Sequence, residues 1–366
     1  MKQNVYGRIR CLSALALAAG SFTAVAFAQD YDINNLPDPD RPMFARLLNA
    51  RPAAGPTVPT WNGSFVYNGT TYNFNMVGTD PATTNTATTV QAVIIPVKIV
   101  IAGRRGGGSQ TFDPETIPSN TGGLTAVQNT VQSPIFDSTT TYIQGGTYVG
   151  TTQYIDAYQR ANFWGSVQTN TGYHLLLGGP TVLPEVTLNP PALQGKTGAP
   201  FGETVAEVSI NWIDGQFHSL ITSLGLQPDQ LPIFKTYKTY LTSGGCCIGG
   251  YHSAVGGQSY AEFTYIDQPG LFSQDVSALS HEIGEWADDP LVVNANGNQT
   301  PCGILENGDP LETEANFGGF PYVLHGFTYN LQDLVTLEYF GAPAGTSVND
   351  FVTFQGQPLS VCQNGS

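Results

Sequence analysis

Ser280-His281-Glu282-Ile283-Gly284-Glu285-Trp286-Ala287-Asp288-Asp289-Pro290 is the segment of this 366-residue chain with the clearest chemistry. Val276, Leu279, Ile283 and Trp286 recur at intervals of three and four, which predicts a helix. Ser273 stands where it can cap the start, Asp275 suits the first turn, and Pro290 ends the helix. On a wheel of about 100° per residue with His281 at zero, Glu285 falls near about 40°, Asp288 near about −20° and Glu282 near about 100°. The apolar residues gather on the far side. The expected helix therefore buries one face and presents an imidazole and several carboxylates to a cleft. His281 and Glu285, one turn apart, converge on one ion. Glu282 is offset from both and reaches a water beside that ion as a general base.

With five histidines and eleven glutamates in the chain, H-E-x-x-E arises by chance in only about 0.005 such sequences if residues are independent. Gly284 adds to the signal, because a glycine inside a helix costs about 1 kcal/mol against alanine and implies close approach of another group. The pattern is that of a zincin active-site helix with Glu285 in place of the second histidine. A third ligand comes from elsewhere. Glu306 and Asp309, in Cys302-Gly303-Ile304-Leu305-Glu306-Asn307-Gly308-Asp309-Pro310, are both candidates, and spacing leaves the choice between them open. The expected cofactor is Zn²⁺. Ca²⁺ is the alternative that an oxygen-rich ligand set allows, although His281 argues against pure Ca²⁺ coordination.

Among the other histidines, His252 follows Cys246-Cys247-Ile248-Gly249-Gly250-Tyr251 and is a candidate substrate contact held over the cleft by a glycine-rich loop. His174 and His325 lie in apolar runs and read as core or strand-edge residues. His218 reads as a helix-surface residue.

Residues 1–28 read as a cleavable secretory signal peptide. Lys2, Arg8 and Arg10 precede an uncharged stretch from Cys11, and Ala26-Phe27-Ala28 has the small-x-small cleavage pattern. Its removal leaves 10 basic residues against 28 acidic ones, a formal charge of −18. That balance argues against nucleic acid and anionic membrane surfaces as partners and is compatible with cations. No later segment has the roughly 18 consecutive apolar residues of a membrane span, so no membrane insertion is expected. The expected location is secreted, extracellular or periplasmic, with cell-envelope contact open. Four cysteines remain in the exported part: Cys246, Cys247, Cys302 and Cys362. Their even number predicts two disulfides, with three connectivities to choose from. Adjacent cysteines about 3.8 Å apart at Cα are closer than a usual disulfide, so a Cys246–Cys247 bond would be strained; spacing does not decide between it and distant partners.

Residues 29–60 are rich in Pro and Asp and read as a linker or leader, with a propeptide as one reading. From Trp61 the composition is globular. Strands are expected near 65–74, 90–101, 172–178, 182–188, 204–212, 232–241 and 258–266, and helices near 124–131, 154–164 and 213–224. This mixture is an α+β pattern with a β-rich N-terminal part, either one domain over 61–366 or packed subdomains at 61–200 and 201–366.

The motif, with Asp289-Pro290 after it, resembles a widespread group of bacterial secreted proteins marked by S-H-E-x-x-E-x-x-x-D-P. Gln132-Ser133-Pro134-Ile135-Phe136, Thr152-Gln153-Tyr154-Ile155-Asp156-Ala157, Gln159-Arg160-Ala161-Asn162-Phe163-Trp164 and Cys246-Cys247 through His252 are similar to that group as well, so the likeness runs over about residues 90–340. More distantly the chain is similar to plant phosphate-induced (exordium-like) secreted proteins, in which the helix motif is largely lost. Members of the bacterial group often carry Glu-x-x-Asp followed by Cys. Here Glu306 and Asp309 match, Pro310 follows, and Cys302 precedes them. The resemblance implies a zincin-like architecture. Residues and resemblance together lead to a secreted zinc-dependent hydrolase, most simply a peptidase acting on a peptide or protein substrate. The alternative is a non-catalytic extracellular protein with a structural cation or a glycan- or protein-binding role.

Overall fold

The computed structural model describes residues 30–31, 43–48, 57–103, 107–292 and 298–362. The expected signal peptide at 1–28, and most of the leader at 29–60, lie outside the described residues. The architecture is α+β and rich in strands, with 38% strand and 18% helix.

A nine-stranded mixed sheet forms the centre. Its spine is the strand Ala87–Ile101. Gln230–Tyr237 runs parallel to one edge of this strand, and His174–Val182 and Val186–Leu188 run parallel to the other. Beyond Gln230–Tyr237 come Gln258–Tyr265, parallel to it, and Gly250–Val255, antiparallel in a hairpin. Ala45–Leu48, within the stretch expected to be a linker or leader, adds in parallel to Gly250–Val255. The sheet thus joins strands from both sides of residue 200.

Alternation along the spine decides what packs where, because successive side chains in a strand point to opposite faces. Val90, Ala92 and Ile94 share one core with Leu231, Ile233, Phe263 and Tyr265. Val93, Ile95, Val97 and Ile99 share a second core with Phe234, Tyr251 and Tyr260. A strand buried on both faces needs a near-continuous apolar run, and Val90–Ile101 is one. Helix Ile210–Ser223 covers the second core through Ile210, Ile213, Phe217 and Ile221, spaced three to four residues apart. Helices Tyr154–Asn162 and Ser277–Asp288 cover the first.

A third cluster forms around the hairpin of Thr60–Tyr67 and Thr70–Val77, where Phe65, Phe74 and Met76 meet Leu305, Leu311 and Val335. It anchors the acidic loop: Leu305 and Leu311 are buried on either side of Glu306 and Asp309.

The motif helix differs from its expected form in two respects. It starts at Ser277 with Val276 as N-cap, so Ser273 does not cap it and Asp275 precedes it. Ser273 Oγ instead donates to Tyr240 Oη at 2.9 Å, and Asp275 accepts the backbone N–H groups of Val276 and Asn330. The helix also has no open face, because every one of its residues is buried. The expected cleft is roofed by the 305–311 loop and by strand Phe327–Gln332. Pro290 lies just past the end at Asp288, as expected.

The four cysteines form two disulfides, Cys246–Cys247 and Cys302–Cys362. The peptide between the adjacent pair is cis, with Cα atoms 3.1 Å apart. Among the described residues no helix is long and apolar enough to cross a membrane.

Candidate metal centre

Three elements bring six side chains together. The motif helix supplies His281, Glu282 and Glu285, the loop supplies Glu306 and Asp309, and strand Gly250–Val255 supplies His252. The strand's alternation aims His252 at the helix, since Tyr251 points the other way and its hydroxyl donates to Asp214 at 2.9 Å. His252 is therefore fully buried against the helix, whereas the sequence placed it over a cleft as a substrate contact.

His281 Nε2 lies 2.9 Å from Glu285 Oε1 and 3.7 Å from Asp309 Oδ1. The donor atoms of these three residues all fall within 4.8 Å of one another. Two ligands at about 2.0–2.1 Å from a tetrahedral zinc sit about 3.3 Å apart, so the observed separations bracket the required one. Asp309 thus joins His281 and Glu285. Glu306, the other candidate, sits with Oε2 3.8 Å from His252 Nε2.

Gln332, from the strand that roofs the helix, fixes the state of His281. Its Nε2 donates to Gly308 O at 3.3 Å, which turns its Oε1 towards His281 Nδ1. An amide oxygen only accepts, so Nδ1 carries the proton and Nε2 presents its lone pair. Burial pushes the imidazole pKa down to about 3, against a smaller upward effect of the Gln332 hydrogen bond, so the ring is neutral. Nε2 is buried and makes no hydrogen bond. A lone pair facing two carboxylates is repulsive unless a proton or a cation lies between them, and it is the geometry in which an outer hydrogen bond orients a histidine ligand. The buried His, Glu and Asp groups here fit a metal ion.

Glu282 lies outside that triad. Its Oε2 is 3.1 Å from His252 Nδ1, while Oε1 is buried with no hydrogen bond. Burial, and then Glu285, Glu306 and Asp309, push its carboxyl well above the ordinary range.

Two glycines permit the close packing. A Cβ on Gly308 would stand 2.3 Å from His281 Nδ1, and a Cβ on Gly284 would stand 2.7 Å from both methyl carbons of Leu334. The close approach expected at Gly284 is thus that of Leu334 and Asn307. Asp288, placed with the site carboxylates by the helical wheel, serves elsewhere. It accepts hydrogen bonds from Tyr158 Oη at 2.9 Å, Gln159 Nε2 at 2.6 Å and Asn307 Nδ2 at 3.0 Å. It clamps the helix to Tyr154–Asn162 and to the acidic loop.

Sequence reasoning missed Gln332 and Phe44. Phe44 is buried and stacks on the His281 ring, with centroids 3.9 Å apart. Neither belongs to a motif that spacing could reveal, and Gln332 lies 51 residues from the histidine that it orients. The remaining histidines stay outside the cluster: His174 pairs with Asp156, His218 with Asp214 and Tyr260, and His325 with Asp137. Compared with protein-family models, curated proteins and solved structures, the chain matches none.

Proposed function

We propose that this protein is a secreted zinc-dependent hydrolase acting on peptide bonds. The observation that carries the reading is the lone pair of His281 Nε2 facing Glu285 and Asp309, with the Glu282 carboxylate beside this triad but not in it. Zinc, when bound, supplies Lewis acidity and makes a neighbouring water acidic enough to ionise near about pH 7. The protein's own part begins with His281, Glu285 and Asp309, which would hold the ion. Gln332 keeps His281 in the tautomer that leaves Nε2 open. Glu282 accepts the proton of the attacking water and returns it to the leaving amine. Burial, and then the neighbouring carboxylates, raise its proton affinity above that of an ordinary carboxylate. His252 Nδ1 holds one oxygen of Glu282, so the other is directed to this task.

Two carboxylate ligands would leave the ion less electrophilic than a two-histidine site would. The two disulfides fit an oxidising compartment outside the cytoplasm, as the signal-peptide pattern implies. Zinc-loaded mature protein incubated with a peptide library tests the reading. Cleavage products that vanish on chelation and return with zinc are expected. A chain that holds zinc and cleaves nothing would remove it. That outcome would favour a structural cation, the second reading, which draws on the complete burial of His281 and Glu282.

A further inference from the structure

The cluster has a second half that one ion does not use. Glu285 Oε1 lies 2.9 Å from His281 Nε2, while Oε2 of the same carboxylate lies 3.6 Å from His252 Nδ1. One carboxylate thus turns a different oxygen to each imidazole. On the His252 side, Glu282 Oε2 is 3.1 Å from Nδ1, and the second Glu282 oxygen is fully buried without a hydrogen bond. The donor atoms of His252, Glu282 and Glu285 fall within 4.8 Å of one another, as do those of the first triad. The separations of 3.1 and 3.6 Å bracket the roughly 3.3 Å between two ligands of a tetrahedral zinc.

We propose that His252, Glu282 and Glu285 form a second divalent-cation site, joined to the first through the Glu285 carboxylate. Paired metal sites with ions about 3.5–4 Å apart use a shared carboxylate in this way. The donors are one nitrogen and two carboxylates, so the site takes a zinc-like transition ion rather than Mg²⁺ or Ca²⁺. It fills after the first. On the first side Gln332 already holds the histidine with its lone pair free, whereas on the second a proton shared between His252 Nδ1 and Glu282 Oε2 has to leave. That proton has a destination in the other tautomer, since Nε2 faces Glu306 Oε2 at 3.8 Å. One consequence rests on the hydrolase reading above: a second ion makes Glu282 a ligand and removes the proton acceptor, so zinc beyond the first equivalent inhibits hydrolysis.

The test is equilibrium dialysis of the chelator-stripped mature protein against rising Zn²⁺, with bound zinc measured by elemental analysis and folding followed by thermal unfolding. The wild type is expected to saturate at two ions per chain, the second held at least tenfold more weakly. His252→Ala and Glu282→Gln should each saturate at one. Glu282→Gln keeps the side-chain shape and carries the test if His252→Ala does not fold. Wild-type saturation at one ion, or two ions retained in Glu282→Gln, overturns the second site. Saturation at one ion with zinc-dependent cleavage intact leaves the hydrolase reading standing. Two ions with no cleavage at any zinc level supports the second site and removes the hydrolase.

Discussion

Phe44 lies over the imidazole of His281, with ring centroids 3.9 Å apart and planes inclined by 27°. Met43 O accepts the Gly249 N–H at 2.7 Å, and Ala45–Leu48 extends the sheet beside His252, so this short segment covers the centre. Replacing the ring by a methyl group opens a path to His281. Phe44→Ala should release zinc to a chelator several-fold faster than wild type and lose about 3–5 kcal/mol of stability, the usual cost of a buried Phe→Ala change. Phe44→Leu should fall between. Stopped-flow chelator extraction checks this, and equal rates for all three would show that the segment does not control access.

Metal binding and proton transfer separate in two substitutions. His281→Ala removes the only nitrogen donor of the first triad and should abolish high-affinity zinc binding. Glu282→Gln leaves that triad intact. It should keep one tightly held zinc and lose about 10²–10⁴-fold in peptide hydrolysis, the range that general-base assistance supplies. Parental hydrolysis rates in Glu282→Gln would refute the assigned role.

Gly308 makes a prediction that no ligand substitution makes. A Cβ there would meet the His281 ring at 2.3 Å, so Gly308→Ala must push the imidazole off its position while every ligand residue stays in the sequence. Zinc affinity should fall at least tenfold, whereas far-ultraviolet circular dichroism should stay that of the wild type. Unchanged affinity in a titration would mean that the ring has room to move without cost.

Asp333 gives the stability a pH dependence. Burial pushes its pKa from the ordinary carboxyl value up to about 7, against opposing hydrogen bonds that include those from the Leu334 and Gln355 N–H groups. The folded value is raised, so this contribution is complete below about pH 4 and is lost as the pH rises through about 7, at no more than about 1.4 kcal/mol per pH unit. Asp333→Asn preserves the accepting oxygen and cannot ionise. Its stability relative to wild type should therefore grow between pH 4 and 7, as read from urea midpoints. A constant difference across that range would contradict the assignment.

Cys302 and Cys362 close a long loop, 60 residues apart in sequence with Cα atoms 6.1 Å apart, and the loop includes both Glu306 and Asp309. Replacing both cysteines by serine should cost up to about 4 kcal/mol by loop-closure entropy. Thiol labelling of the unreduced, denatured mature protein should give no signal, and stoichiometric labelling would contradict the pairing.

The signals legible in the sequence were those carried by neighbours along the chain. The 3.6-residue period marks the motif helix and places His281 and Glu285 one turn apart, and that is where they stand. The Val/Ile run at 90–101 marks a strand, and it is the spine of the sheet. The wheel also separates Glu282 from the His281–Glu285 pair. Each of these depends on the fixed geometry of one helix or one strand, so local periodicity suffices. The tertiary structure decided what depends on closure over long separations. It brings Asp309 rather than Glu306 to His281, because Leu305 and Leu311 pin the loop in the third core. It turns His252 inward through the register of a hairpin, and it draws Asp288 away from the other carboxylates to Tyr158 and Gln159. It pairs Cys246 with Cys247, a choice that spacing left open. Phe44 and Gln332 meet His281 from 237 and 51 residues away, and no pattern within one element registers such a contact, because it exists only once the sheet has set where each strand ends.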